Sequence, residues 1–96
     1  MNEFVNKYAE IRGTDYVQRL QFEGMIAAQI KTRRKDLQLS QQKLADLASV
    51  PKSTIGRIEA GITSPKVDTL LRISKALETP FIIDGTSIKK NLFMET

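Results

Sequence analysis

Apolar positions recur at helical spacing along most of the chain, and punctuation residues cut the pattern into segments. Phe4, Tyr8 and Ile11 fall at i, i+4 and i+7 with Val5 beside them, and Gly13 stands where a stop is wanted, so a short amphipathic helix is expected there. Thr14 or Asp15 then caps a second segment reaching about Lys35, with Phe22, Met25, Ile26 and Ile30 on one face and Tyr16, Leu20 and Ala27 on an adjoining one. Either that helix has a broad apolar arc or it breaks near Gln21 and Phe22. Ser40 reads as the N-cap of a two-turn helix over 41–48, with Leu44, Ala45 and Ala48 on one side. Ser49-Val50-Pro51 interrupts the pattern, because proline holds the preceding residue extended and supplies a φ suited to opening a helix. The next helix spans 52–60, turns Ile55 and Ile58 inward, leaves Lys52, Ser53, Gly56 and Arg57 on another face, and ends at Gly61 as a left-handed cap. A last helix over 67–78 carries a stripe of Val67, Leu70, Leu71, Ser74 and Leu77, with Asp68 in its favourable first turn.

After Pro80 the texture changes. Phe81-Ile82-Ile83 is a short β-branched and aromatic run closed by Asp84-Gly85, a strand signal followed by a turn signal. A three-residue strand has no stability alone, so it needs residues 87–90, the N-terminal region or another chain as its partner. Whether 88–94 is strand or helix is left open by the pattern. The expected fold class is all-α: a compact bundle of four to five helices with a helix-turn-helix, plus a short C-terminal strand for which pairing across a dimer is one option.

Ninety-six residues fit one core, and the 41% apolar and 27% charged content matches a folding chain rather than a disordered one. No apolar run approaches the ~18 residues of a membrane span, and the N-terminus lacks the pattern of a secretory signal, so a cytoplasmic protein without membrane contact is expected. The absence of Cys and His removes disulfides, thiolate and imidazole metal ligands, the Cys nucleophile and the commonest general base, which leaves carboxylate or Lys chemistry or none; no enzyme, metal site, cofactor or small-molecule substrate is expected.

Charge changes the picture more. From Lys31 to Lys66 eight basic residues face three acidic ones, a surplus of five, whereas the other sixty residues hold seven basic against eight acidic. The positive excess therefore sits in the middle third, as expected of a basic surface on neutral supports. A solvated face accounts for charge of this kind equally well.

The motifs decide between those readings. Leu39-Ser40-Gln41-Gln42-Lys43-Leu44-Ala45, Val50-Pro51-Lys52-Ser53-Thr54-Ile55, Arg57-Ile58-Glu59-Ala60-Gly61, Ser64-Pro65 and the run from Thr69 to Leu77 together resemble the phage-repressor and Cro-like (XRE) helix-turn-helix family over roughly 22–78. The resemblance implies a sequence-specific repressor of transcription that binds a pseudo-palindromic operator in double-stranded DNA as a homodimer, with the helix after the turn in the major groove. It divides the chain into an N-terminal helical extension (1–21), the helix-turn-helix domain (22–78) and a C-terminal strand or tail (79–96). Carried over position by position, Lys52, Ser53 and Arg57 are base-contacting, Gln41, Thr54, Thr63 and Lys66 are phosphate-contacting, and Arg34 with Glu59 forms a structural ion pair. Arg57 is the leading base reader, since Arg donates two bonds to guanine. An arginine on backbone phosphate is the competing role, because over half of such hydrogen bonds go to the backbone. Three departures stand out: Ser49 where the turn often has Gly, Pro51 where a capping Ser or Thr is common, and Gly56 inside the recognition helix.

The flanking segments resemble those of antitoxins in toxin-antitoxin modules that use the same domain. That likeness implies a second partner, a small toxin protein, with Phe4, Val5, Tyr8 and Ile11 as its contact residues. Core packing is the commoner use of such spacing. A repressor with no toxin is the alternative.

Overall fold

A computed structural model describes the backbone of residues 2–84 and the side chains of residues 15–84. Four helices occupy it: α1 (Asn2–Asp36), α2 (Gln41–Ala48), α3 (Lys52–Glu59) and α4 (Val67–Leu77). The first two expected segments are one helix, running through Gly13 and past Gln21 and Phe22 without interruption. A glycine in a helix interior costs about 1 kcal/mol and does not by itself end it. Once the docked C-terminal half of α1 is formed, each further residue propagates from an existing turn rather than from a new nucleus.

The C-terminal halves of the pattern are simpler. The core is Ile26 and Ile30 of α1, Leu44, Ala45 and Ala48 of α2, Ile55 and Ile58 of α3, and Leu70, Ile73 and Leu77 of α4, flanked by Phe22, Leu39, Val50, Ala76 and Phe81. In α1 the broad apolar arc therefore resolves into a buried stripe from Phe22 onward, while Tyr16 and Leu20 are exposed. The stripe expected on α4 shifts. Ile73 replaces Leu71 and Val67, which are 54% and 81% exposed, because 70, 73 and 77 align on the face turned to α2 and 71 lies about a quarter-turn away.

All four helices end the same way. Gln38, Ser49, Gly61 and Glu78 each take positive φ (59°, 58°, 70° and 53°), and each is followed by an amide that reaches back to the carbonyl five residues earlier: Leu39 to Arg34, Val50 to Ala45, Ile62 to Arg57 and Thr79 to Ser74. These are Schellman closures, which satisfy the orphan carbonyls of the last turn. Gly61 alone fits without steric cost. Ser40 caps α2, its hydroxyl accepting from the Lys43 amide at 2.9 Å.

Residues 81–84 carry no strand, a correction to the expectation there. The role of a strand partner is taken by a side chain: the Gln29 carboxamide accepts from the Ile82 amide and donates to the Ile82 carbonyl, both at 2.8 Å. Residues 87–90 and 88–94 lie outside the described residues. No helix is long and apolar enough to cross a membrane among the described residues.

Candidate nucleic-acid interface

α3 presents two faces of opposite character. Ile55 and Ile58 are buried at 0% and 1% exposure, which leaves Lys52, Ser53 and Arg57 facing solvent on the other side with Gly56 between them. Pro51 sits one position before the helix, with extended backbone (φ −64°, ψ 147°) and no side-chain cap. The first turn is closed instead by the Thr54 amide donating to the Pro51 carbonyl at 3.0 Å. The α2–α3 turn is made by Ser49 in the left-handed region, and the Arg72 guanidinium of α4 donates to its carbonyl at 3.3 Å. Serine thus does what glycine would do more cheaply, held from both sides.

Below α3 a concavity of about 550 Å³ brings Thr54 and Arg57 together with Thr63 and Lys66 of the following loop. Four of the seven residues assigned to nucleic acid from sequence therefore surround one hollow. Lys52 and Ser53 stand apart, exposed at the helix start. Gln41 is half-buried and turned to the protein: its amide donates to Glu59 Oε1 at 3.2 Å.

Arg34 and Glu59 meet through two bonds, Nε to Oε2 at 2.6 Å and Nη2 to Oε1 at 2.9 Å, and Arg34 Nη1 donates to the Leu39 carbonyl at 2.8 Å. The pair ties α1 to the last residue of α3 and, through Leu39, to the turn before α2. Burial pushes the Glu59 carboxyl up, but hydrogen bonds from Arg34 and Gln41 outweigh it and hold the group below its usual range. The hydrogen bond to Glu59 raises Arg34 further above its ordinary value against desolvation.

Two anchors have no signal in the sequence. The Ser64 hydroxyl donates to Glu23 Oε2 at 2.6 Å, with Glu23 only 7% exposed, and so fastens the loop beside the hollow to α1. Arg33 Nε donates to the Leu77 carbonyl at 3.2 Å and closes the end of α4. The partners are 41 and 44 residues apart, beyond the reach of any local spacing rule. No group of His, Cys, Asp or Glu suited to a metal ion occurs among the described residues. The side chains of Phe4, Val5, Tyr8 and Ile11 lie outside the described residues.

Residues 30–82 match the helix-turn-helix family HTH_3. The chain belongs to this family. Repressor protein C of Escherichia phage P2 is 40% identical over 55 residues, covering 57% of this chain and 52% of the phage protein. A crystal structure of an HTH_3 family transcriptional regulator from Vibrio cholerae superposes with a TM-score of 0.63 at 36% identity, covering 76% of this chain and 39% of that one. The chain thus spans about half the length of the phage repressor and less of the Vibrio regulator. The matched segment of this helix-turn-helix protein begins at Ile30, so most of α1 precedes it.

Proposed function

We propose that this chain is a non-enzymatic transcriptional regulator, a repressor that recognises a specific operator in double-stranded DNA. One observation carries the reading: α3 buries Ile55 and Ile58 and turns Lys52, Ser53 and Arg57 outward, above a hollow edged by Thr54, Thr63 and Lys66. A major groove about 12 Å wide admits one such helix, with residues of its first turns against base edges. In this role Lys52, Ser53 and Arg57 read bases while Thr54, Thr63 and Lys66 hold phosphates. Gln41 joins them by giving up its bond to Glu59 or by using its second amide hydrogen. The protein works in the cytoplasm as a homodimer, because one recognition helix covers too few base pairs and two place half-sites about 34 Å apart or a multiple of that.

Selection from random duplexes followed by binding titrations tests this. The expected result is a two-fold symmetric site, with Arg57→Ala costing about 1–3 kcal/mol and relaxing base preference at one position per half-site, and Lys66→Ala weakening all sequences alike. Failure to enrich any sequence, or a monomer on the selected site, overturns the reading.

The finer role of an antitoxin that represses its own operon is supported by Phe4, Val5, Tyr8 and Ile11, apolar positions in the part of α1 that precedes the matched domain. Copurification with the product of an adjacent small reading frame, toxic when expressed alone, is the expected outcome. A neighbour that neither binds nor harms the cell leaves a repressor without a toxin.

A further inference from the structure

The hollow beneath α3 is one of two that share a wall. Ile62, Thr63 and Ser64 line it from one side, and the same three residues line a second groove of about 570 Å³ whose far wall is Tyr16, Arg19 and Leu20 of α1. All three α1 residues precede Ile30, where the match to the family begins.

Arg19 has the properties of a phosphate ligand waiting in place. It is exposed, makes no ion pair among the described residues, and lies over the Tyr16 ring with its guanidinium carbon 5.7 Å from the centroid. Stacking on an aromatic face restricts the side chain and reduces the ordering cost of a later hydrogen bond. The one carboxylate of the groove, Glu23, is buried, accepts the Ser64 hydroxyl and forms no ion pair with Arg19.

We propose that the groove between α1 and the 61–66 loop is a second contact to duplex DNA, in which Arg19, stacked on Tyr16, donates to a backbone phosphate just outside the half-site read by α3. The inference rests on the DNA-binding reading above and extends it to a segment that the helix-turn-helix domain does not include. A duplex seated against Thr54, Arg57 and Lys66 continues past Thr63 and Ser64, and the next groove along its backbone is the one Arg19 overlooks. The exposed Tyr16, Leu20 and Ile62 then face deoxyribose rather than water. The contact supplies affinity and register without base information.

The test compares wild type, Arg19→Ala and Arg19→Lys on two versions of the selected operator, one ending at the half-sites and one extended by about half a helical turn on each side. On the extended duplex, Arg19→Ala is expected to reduce the slope of log Kobs against log salt by about one per half-site contact and to weaken binding about three- to tenfold at low salt. Arg19→Lys restores the slope, base preference stays unchanged, and ethylation of the flanking phosphates interferes with wild type but not with Arg19→Ala. On the short duplex all three proteins bind alike. Equal slopes and equal interference for wild type and Arg19→Ala on the extended duplex overturn the proposal, as does an Arg19→Ala effect confined to oligomeric state, which would make the groove a protein contact. A wild type that does not distinguish the selected operator from scrambled DNA overturns the DNA-binding reading itself and this contact with it.

Discussion

Removing Arg34 should be the most damaging single change outside the apolar core. Arg34→Met takes away two charge-assisted bonds to Glu59 and one to the Leu39 carbonyl, leaving Gln41 as the remaining hydrogen-bond donor to a carboxylate whose side chain is 2% exposed. Breaking a buried pair from one side costs about 3–5 kcal/mol, since the survivor keeps its desolvation penalty without its compensation. Arg34 is itself 12% exposed, so water can enter as it leaves, and the lower end, about 3 kcal/mol, is expected. A domain of this size has about 5–14 kcal/mol in total, and its melting temperature moves about 4–8 °C per kcal/mol, so a fall of about 12–24 °C follows. Denaturant titrations followed by helix signal give the free energies, and a double-mutant cycle isolates the pair. Arg34→Met with Glu59→Leu should cost at least about 1.5 kcal/mol less than the two singles summed, because the double variant strands no charge. If Arg34→Met costs under about 1 kcal/mol, or if the two changes add, the pair does not hold α3 to α1 and the reasoning is wrong.

Replacing Ser49, Gln38 or Glu78 by glycine should stabilise by about 1 kcal/mol each in thermal melts, relieving the left-handed conformation that a Cβ disfavours, whereas Gly61→Ala should destabilise by a similar amount. Gly56→Ala should gain about 0.5–1 kcal/mol in thermal melts of the free protein, since the nearest atom to an added Cβ is Gln41 Oε1 at 3.9 Å, an ordinary contact. Because the Glu59 carboxyl is held below its unfolded value, its contribution is complete above about pH 4.3 and is lost as pH falls through the folded-state value. Urea midpoints measured through the acid range should therefore fall more steeply for wild type than for Glu59→Gln, and parallel profiles would remove Glu59 as the cause.

Local chemistry explains what was legible in the sequence. Ser40 sits before an apolar-periodic run and caps it, and Gly61 sits after one and closes it, because cap geometry involves residues only three to five apart. Leu44, Ala45 and Ala48 and then Ile55 and Ile58 are buried as their spacing requires. Less was legible at either end. Gly13 carries the local mark of a stop, but helix continuation depends on the turn already formed behind it. Phe81 to Ile83 carries the composition of a strand, but the partner that satisfies Ile82 is a glutamine side chain 53 residues away. The same limit hid the loop-facing role of Glu23. Among the site residues, the outward face of α3 followed from period alone, while the engagement of Gln41 by Glu59 required knowing that Arg34 leaves one carboxylate oxygen able to accept a second donor.

These long-range bonds give α1 a role beyond a first helix of the bundle. From one helix, Glu23 holds the loop before α4, Gln29 holds the chain at Ile82, Arg33 closes α4, and Arg34 holds the end of α3. The contacts lie within about three turns, so the 61–66 loop and the end of α3 are fastened to one stretch of the same helix. Thr63 and Lys66 on that loop and Arg57 on α3 border the same hollow. The Glu23 to Ser64 bond and the Arg34 to Glu59 pair therefore connect α1 to the loop and to the helix that border that hollow. On the proposed DNA-binding reading, a partner that shifts α1 is expected to change base preference as well as affinity, whereas one that only blocks the surface is expected to weaken binding and leave base preference intact.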